Sequence, residues 1–253
     1  MQPRAPKPVS KVPEVTLLFW ILKIAATTLG ETGGDTVSMS MQLGYLLASA
    51  IFAVLFLLAV GAQIRSARFH PWLYWLTIIA TTTVGTTLAD YADRSMGIGY
   101  AGGTSLLLVL LLASLASWYA TLGSVSVNTV NSRRAEMFYW ITIMISQTLG
   151  TALGDWTADS EGVGYAGGTL VFGGLLALVA AAYFWSSLSR TALFWAAFIL
   201  TRPLGAVVGD LLDKPLGAGG LALSRYGASL ALMAFMGACL LIFPQRAART
   251  SGH

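Results

Sequence analysis

The sequence predicts an all-α membrane protein: eight transmembrane helices from four two-helix repeats, arranged as two pseudo-symmetric halves. Three observations carry that expectation. The 253-residue chain is 56% hydrophobic and only 10% charged, with a mean hydropathy of +0.70. A soluble domain has about 25% charged residues. Apolar runs of the roughly 20 residues that a spanning helix needs recur along its whole length. Finally, an aromatic–Trp pair is followed four times by Gly, ten residues after Trp, and by Asp, five further on. The copies are Phe19-Trp20/Gly30/Asp35, Tyr74-Trp75/Gly85/Asp90, Tyr139-Trp140/Gly150/Asp155 and Phe194-Trp195/Gly205/Asp210. Asp-to-Asp intervals of 55, 65 and 55 residues group the repeats in pairs.

Residues 1–14 form an N-terminal tail, and the first helix is expected near 15–37. Its apolar run is too long for a signal-peptide core and a small-residue cleavage site fits poorly there, so it should remain as a helix. A short connector, Ser38–Gln42, leads to a second helix near 43–62, completing a repeat over 15–62. Repeat two (72–120) places helices near 72–92 and 98–120 around Asp93–Gly97. Repeat three (137–184) places them near 137–157 and 163–184 around Ala158–Gly162. Repeat four (191–243) contains 191–212 and 220–243, and 244–253 is a C-terminal tail. The second helices open on Leu43-Gly44-Tyr45, Gly97-Ile98-Gly99-Tyr100 and Gly162-Val163-Gly164-Tyr165, each Tyr ten residues after its Asp. Glycine there permits a tight turn. The Tyr is placed either to hydrogen-bond a carboxylate across the hairpin or to sit at the membrane interface.

Orientation follows from charge. Ten of the fifteen Lys and Arg residues (Arg4, Lys7, Lys11, Arg65, Arg68, Arg133, Arg134, Arg190, Arg246, Arg249) lie in the tails and in the connectors between repeats. The positive-inside rule puts both termini in the cytoplasm. Acids take the other side: Glu31, Asp35, Asp90, Asp93, Asp155, Asp159, Glu161, Asp210 and Asp213 lie in or beyond the outer parts of the odd helices. An acidic vestibule that concentrates cations would account for that bias.

Two stripes run along the odd helices. Gly30/Gly34, Gly85/Ala89, Gly150/Gly154 and Gly205/Gly209 are small-xxx-small pairs, which let helices approach closely in lipid. Beside them lie Thr27/Glu31/Asp35, Thr82/Thr86/Asp90, Gln147/Thr151/Asp155 and Arg202/Ala206/Asp210, each on one helix face. From Trp to Asp is about 22 Å of helix, so Trp falls near the cytoplasmic interface, where a membrane-belt role fits it best. A carboxylate in hydrocarbon needs a cationic or protonic partner. The repeats are unequal: Glu31 occurs only in the first and Arg202, followed by the helix-kinking Pro203, only in the last. Lys23 and Arg202 are the candidates for balancing buried acids. A fourfold-symmetric pore is therefore not expected, and a pseudo-twofold site is.

These residues resemble a family of bacterial membrane proteins built from four tandem two-helix repeats, the domain-of-unknown-function 347 family. The resemblance rests on Phe19-Trp20, the run from Lys23 through Thr27-Thr28-Leu29-Gly30-Glu31-Thr32-Gly33-Gly34-Asp35, and its echoes ending at Asp90, Asp155 and Asp210. It covers about 15–243 and implies a multi-pass protein of the bacterial inner membrane, with no activity attached.

Function must come from the residues. Candidate ion-binding groups are Glu31, Asp35, Asp90, Asp155 and Asp210 as metal ligands, with Thr27, Thr28, Thr82, Thr86, Gln147 and Thr151 beside them. Cys239 is alone and His70 and His253 fall outside the helices, so oxygen ligands select hard cations such as Mn²⁺, Mg²⁺ or Ca²⁺, or Na⁺ and H⁺, rather than Zn²⁺ or Cu⁺. The expected function is a transporter of a small hard cation through a central carboxylate- and Thr-lined site. A divalent metal such as Mn²⁺ or Mg²⁺ is favoured, and proton coupling is left open. The protein is not expected to be an enzyme, with no cofactor and no nucleic-acid partner. Its partners are the bilayer and the cation, and homo-oligomerisation is left open. The alternatives are a non-transporting sensor or partner subunit, or an intramembrane hydrolase using paired carboxylates.

Overall fold

The computed structural model describes residues 10–159 and 163–248. Glu161 and the outermost tail residues lie outside them. Eight α-helices follow in order among the described residues: α1 (Leu17–Asp35), α2 (Gly44–Arg65), α3 (Pro71–Asp90), α4 (Tyr100–Leu122), α5 (Arg133–Asp159), α6 (Gly164–Trp185), α7 (Arg190–Asp213) and α8 (Arg225–Ile242). Their ends follow local chemistry. Thr16, Ser189 and Ser224 cap α1, α7 and α8 through their side-chain oxygens, and Pro71 starts α3, where its missing N–H costs nothing. Gly44, Gly99 and Gly164, each just before its Tyr, have φ of 74°, 78° and 62°, which explains glycine at all three starts. After Asp35 and Asp90 the chain continues as single π-turns, Thr36–Ser40 and Tyr91–Ser95.

The odd helices form a closed ring in the order α1, α3, α5, α7 and back to α1. The even helices stand outside it. Each packs on the odd helix that follows it in the chain: α2 on α3, α4 on α5, α6 on α7, and α8 closes back onto α1. A sequence repeat is therefore not a packed hairpin. Tyr100 on α4 accordingly hydrogen-bonds Asp159 at the end of α5, 2.5 Å away, rather than a carboxylate of its own repeat.

The two stripes mate around this ring. A Cβ on Gly30 would collide with Thr82, one on Gly150 with Arg202, and one on Gly205 with Thr27. At Gly85 it would meet Gln147 at 3.1 Å. The small residue of each odd helix thus receives the side chain eight positions before Asp on the next. One turn outward the pattern recurs: Gly34 faces Thr86 (3.1 Å), Gly154 faces Ala206 (2.9 Å) and Gly209 faces Glu31 (2.7 Å). Packing at this range is what holds helices together where no hydrophobic gradient separates core from solvent. All four junctions are alike in this respect, so the grouping into halves lies in loop length rather than in helix packing.

Aromatic residues close the Trp end. Each ring sixteen residues before Asp meets the Trp of the next repeat: Phe19–Trp75 at 5.5 Å, Tyr74–Trp140 at 5.8 Å, Tyr139–Trp195 at 6.4 Å and Phe194–Trp20 at 5.7 Å. Such pairs add about 0.5–1.5 kcal/mol each beyond area burial. The belt role expected for these tryptophans is thereby corrected. Trp75, Trp140 and Trp195 are buried, because the even helices screen the ring from the surroundings. Trp72, Trp185, Tyr119 and Tyr183 are exposed at the same end instead.

Residues 10–14 are not a free tail. Pro13 pairs with Ala247, Ala248 N–H donates to Val12 O at 2.8 Å, and Lys11 N–H donates to Val130 O at 3.1 Å. Val12, Val127 and Val130 join the aromatic core. Both described chain ends and the 124–132 connector therefore form one plug beneath the Trp end.

Five helices (α2, α4, α6, α7 and α8) are long and apolar enough to cross a membrane. Apart from the ring member α7 they are mostly exposed, and Leu57, Leu58, Leu170, Phe184 and Leu241 are among many large apolar side chains at the surface. A continuous apolar exterior of this kind is that of a membrane protein. α1, α3 and α5 carry buried polar groups facing one another.

Gly205→Ala should destabilise the protein by about 1–3 kcal/mol through overpacking, because its Cβ would lie 2.8 Å from the Thr27 backbone. Gly174→Ala, with nothing within 4 Å on α6, should be neutral or stabilising by up to about 1 kcal/mol. Thermal melting in detergent checks both.

Candidate functional site

Along the ring axis the inward side chains stack in layers, one helical turn apart. The outermost holds Asp35, Asp90, Asp155 and Asp210, all buried. Next come Glu31, Thr86, Thr151 and Ala206, then Thr27, Thr82, Gln147 and Arg202, then Lys23, Ile78, Ile143 and Phe198. The aromatic layer of Phe19, Tyr74, Tyr139 and Phe194 comes last.

Glu31 joins the acids into one cluster. Single carboxylate oxygens of Glu31, Asp35 and Asp90 lie within 4.8 Å of one another, as do those of Glu31, Asp155 and Asp210. Asp35, Asp210 and Asp213 make a third such group. These are the residues that could hold a metal, and all their donors are carboxylate oxygens.

Protein cations already occupy the cluster. Arg202, fully buried, reaches from its own layer to the next: one terminal nitrogen lies 2.8 Å from Glu31 Oε2 and 2.5 Å from the hydroxyls of both Thr86 and Thr151. Lys214 Nζ bridges Asp35 (2.8 Å) and Asp210 (2.9 Å) from outside. Arg94 does the same for Asp90 (3.0 Å) and Asp155 (3.7 Å). Arg225 from α8 pairs with Asp213 at 2.8 Å and approaches Asp35 at 3.7 Å. Burial opposes the charge on Lys214, but the carboxylates of Asp210 and Asp35 outweigh it and hold the ammonium above the ordinary lysine value. Against the same opposition from burial, Asp90 and Asp155 raise Arg94.

Packing is fourfold but charge is twofold. Lys214 and Arg94 each stand four residues after an Asp, in repeats four and two, so each cation closes alternate junctions of the ring. These capping residues are not among those singled out in the sequence. Their i, i+4 spacing to Asp210 and Asp90 was the available signal.

The neutral candidates divide. Thr86 and Thr151 touch Arg202, and like Thr27 and Thr28 they also bond carbonyls one turn back on their own helices. Thr82 Oγ1 and both amide atoms of Gln147 are buried without a protein partner. Arg202 does balance an acid. Lys23 does not: its Nζ has no hydrogen-bond partner and lies 4.1 Å from the centre of the Phe198 ring. It sits two turns from Glu31, among apolar groups, and Arg202 stands between them.

The repeat boundaries carry the family assignment. Four consecutive matches to the Repeat of Unknown Function (DUF347) cover residues 18–69, 73–124, 138–189 and 193–245. The chain belongs to this family. Each DUF347 match spans one odd helix and the even helix after it, so the unit of sequence is offset by one helix from the unit of packing. No curated protein and no solved structure matches the chain.

Removing one partner of the buried Arg202–Glu31 pair should cost about 3–5 kcal/mol. Arg202→Met and Glu31→Gln should each lower the melting temperature in detergent, and the double variant should recover most of the loss. A double variant as unstable as the sum of the single ones would remove the pair from the account of stability.

Proposed function

We propose that the protein is an integral membrane transporter of a small hard cation, with a divalent metal such as Mn²⁺ or Mg²⁺ favoured. One observation carries the reading: buried carboxylates from all four repeats meet on the axis of a helix ring, at one level. Glu31, Asp35, Asp90, Asp155, Asp210 and Asp213 face four bases, Arg94, Arg202, Lys214 and Arg225. The formal difference of two negative charges matches one divalent cation or two protons. Oxygen-only donors suit ions of this class.

The tethered bases give the site a release mechanism. An incoming cation competes with Lys214 and Arg94 for the Asp oxygens and with Arg202 for Glu31. These side chains return when the ion leaves, so the site is never left as bare charge. The aromatic layer and the tail plug block the Trp end, and the ion leaves in that direction only when the odd helices shift. The excess of Lys and Arg at that end supports placing it in the cytoplasm, in a bacterial inner membrane. Both described chain ends lie there together.

Asp155→Asn is the cleanest test, since Asp155 has only the longer 3.7 Å approach of Arg94 and Asn preserves volume. Mn²⁺ flux into proteoliposomes should fall about tenfold or more while the melting temperature holds. Asp93→Asn, outside the carboxylate cluster, should leave flux unchanged. Wild-type flux from Asp155→Asn would sink the proposal.

A further inference from the structure

Lys23 is a cation with no structural employment. Arg202, Lys214, Arg225 and Lys11 each have a carboxylate oxygen at 2.7–2.8 Å. Lys23, as fully buried as Arg202 and deeper than the other three, has only the face of Phe198. Its layer is otherwise Ile78, Ile143 and Phe198, all fully buried, and a Leu or Met would fill the space without burying an unmatched polar group. The position nevertheless belongs to the buried inner layers of the ring, one turn from Thr27 and two from Glu31 along α1.

Other orphaned polar atoms gather at this level. Thr82 Oγ1, Gln147 Nε2 and Oε1, and Arg202 Nε, all in the adjoining layer, are buried without protein partners, as is Ser146 Oγ beside Gln147. Buried polar groups are ordinarily hydrogen-bonded, and each exception needs a reason. One layer toward the Trp end, the hydroxyls of Tyr74 and Tyr139 meet at 2.6 Å, either able to donate. Proton-exchanging groups thus continue along the axis beyond the carboxylates.

We propose that Lys23 is a proton-binding station on the transport axis, so that the proton is a second ligand of this protein and moves against the cation. The inference rests on the transport reading and names its coupling ion. When a metal ion takes an oxygen of Glu31, Arg202 loses its partner and its charge stands uncompensated one turn from the Lys23 ammonium. Lys23 then releases a proton, the nitrogen keeping the electron pair, and the proton passes to water on the Asp side, from which the metal came. When the metal leaves, Arg202 returns to Glu31 and the amine takes up a proton again. An ammonium can make this exchange inside a protein, whereas a guanidinium remains charged. The charged and titratable groups facing Lys23 are few. α7 brings Arg202, α3 and α5 bring Tyr74 and Tyr139, and Glu31 lies on α1 itself. Antiparallel α8, with Ser229 at Thr32 and Arg225 at Asp35, brings Cys239 to the level of Lys23.

The test measures proton release when MnCl₂ binds the detergent-purified full chain in weakly buffered solution, with bound Mn²⁺ counted by equilibrium dialysis. Wild type should release about one proton more per bound Mn²⁺ than Lys23→Met. The variant should bind Mn²⁺ normally and melt about 2–4 °C higher. Lys23→Arg, a fixed charge, should show the same deficit in release and serves if Lys23→Met does not fold. Equal release from wild type and both variants, with Mn²⁺ bound, overturns the proton station alone. No Mn²⁺ binding by wild type, and no thermal stabilisation by Mg²⁺, Ca²⁺ or Na⁺, overturns the transport reading and this inference with it.

Discussion

Close approach between neighbouring odd helices is the constraint on which the other features depend. Small residues at two successive turns of one helix accept Thr, Gln, Arg or Glu side chains of the next, so the backbones come together with polar groups between them. In lipid there is no water to expel, and packing of this kind supplies the attraction that apolar side chains supply in a soluble core. It also brings the Asp, Glu and Arg residues to the axis, because the stripe that mates with glycine is the stripe that carries charge. Widen one junction and the Arg202–Glu31 pair loses its geometry.

A fourfold scaffold carries a twofold charge pattern. The helix contacts and the aromatic–Trp contacts recur at every junction, as expected of four copies of one repeat. The side chains then depart from symmetry. Glu31 occurs once and Arg202 once, and they neutralise each other across α1 and α7. Arg94 and Lys214 occupy alternate repeats and divide the Asp ring into two bridged pairs. A ring of four bare carboxylates would repel itself. Four equally capped ones would leave no net charge at that level.

The offset between repeat and packing unit has its own consequence. Since each even helix leans on the next odd helix and α8 returns to α1, the last repeat must find the first before α1 is covered. The tails and the 124–132 connector fasten that closure from below. The outer layer takes the apolar surface onto itself, which frees the inner helices to be as polar as the axis requires. That division explains why α1, α3 and α5 are not among the five helices apolar enough to cross a membrane.

Helix number, the two stripes and the acids that share one level were legible in the sequence, because each follows from local periodicity and fixed spacing. Helix ends were less so, α5 beginning at Arg133 and α8 at Arg225 where 137 and 220 were expected. Gly30, Gly85, Gly150 and Gly205 announced close packing, and Asp35, Asp90, Asp155 and Asp210 announced a common depth. What the stripes pack against was not legible, since spacing along a chain carries no information on which helix becomes a neighbour. For that reason Trp75, Trp140 and Trp195 read as interfacial anchors and proved to be core. Lys23 and Arg202 looked alike in sequence, both lone bases in a helix. Only the tertiary structure separated them: Arg202 is long enough to reach Glu31 on the neighbouring helix α1, and Lys23, two turns below Glu31, faces Phe198. Arg94 and Lys214 likewise became part of the site only when the ring closed and set each of them between two carboxylates.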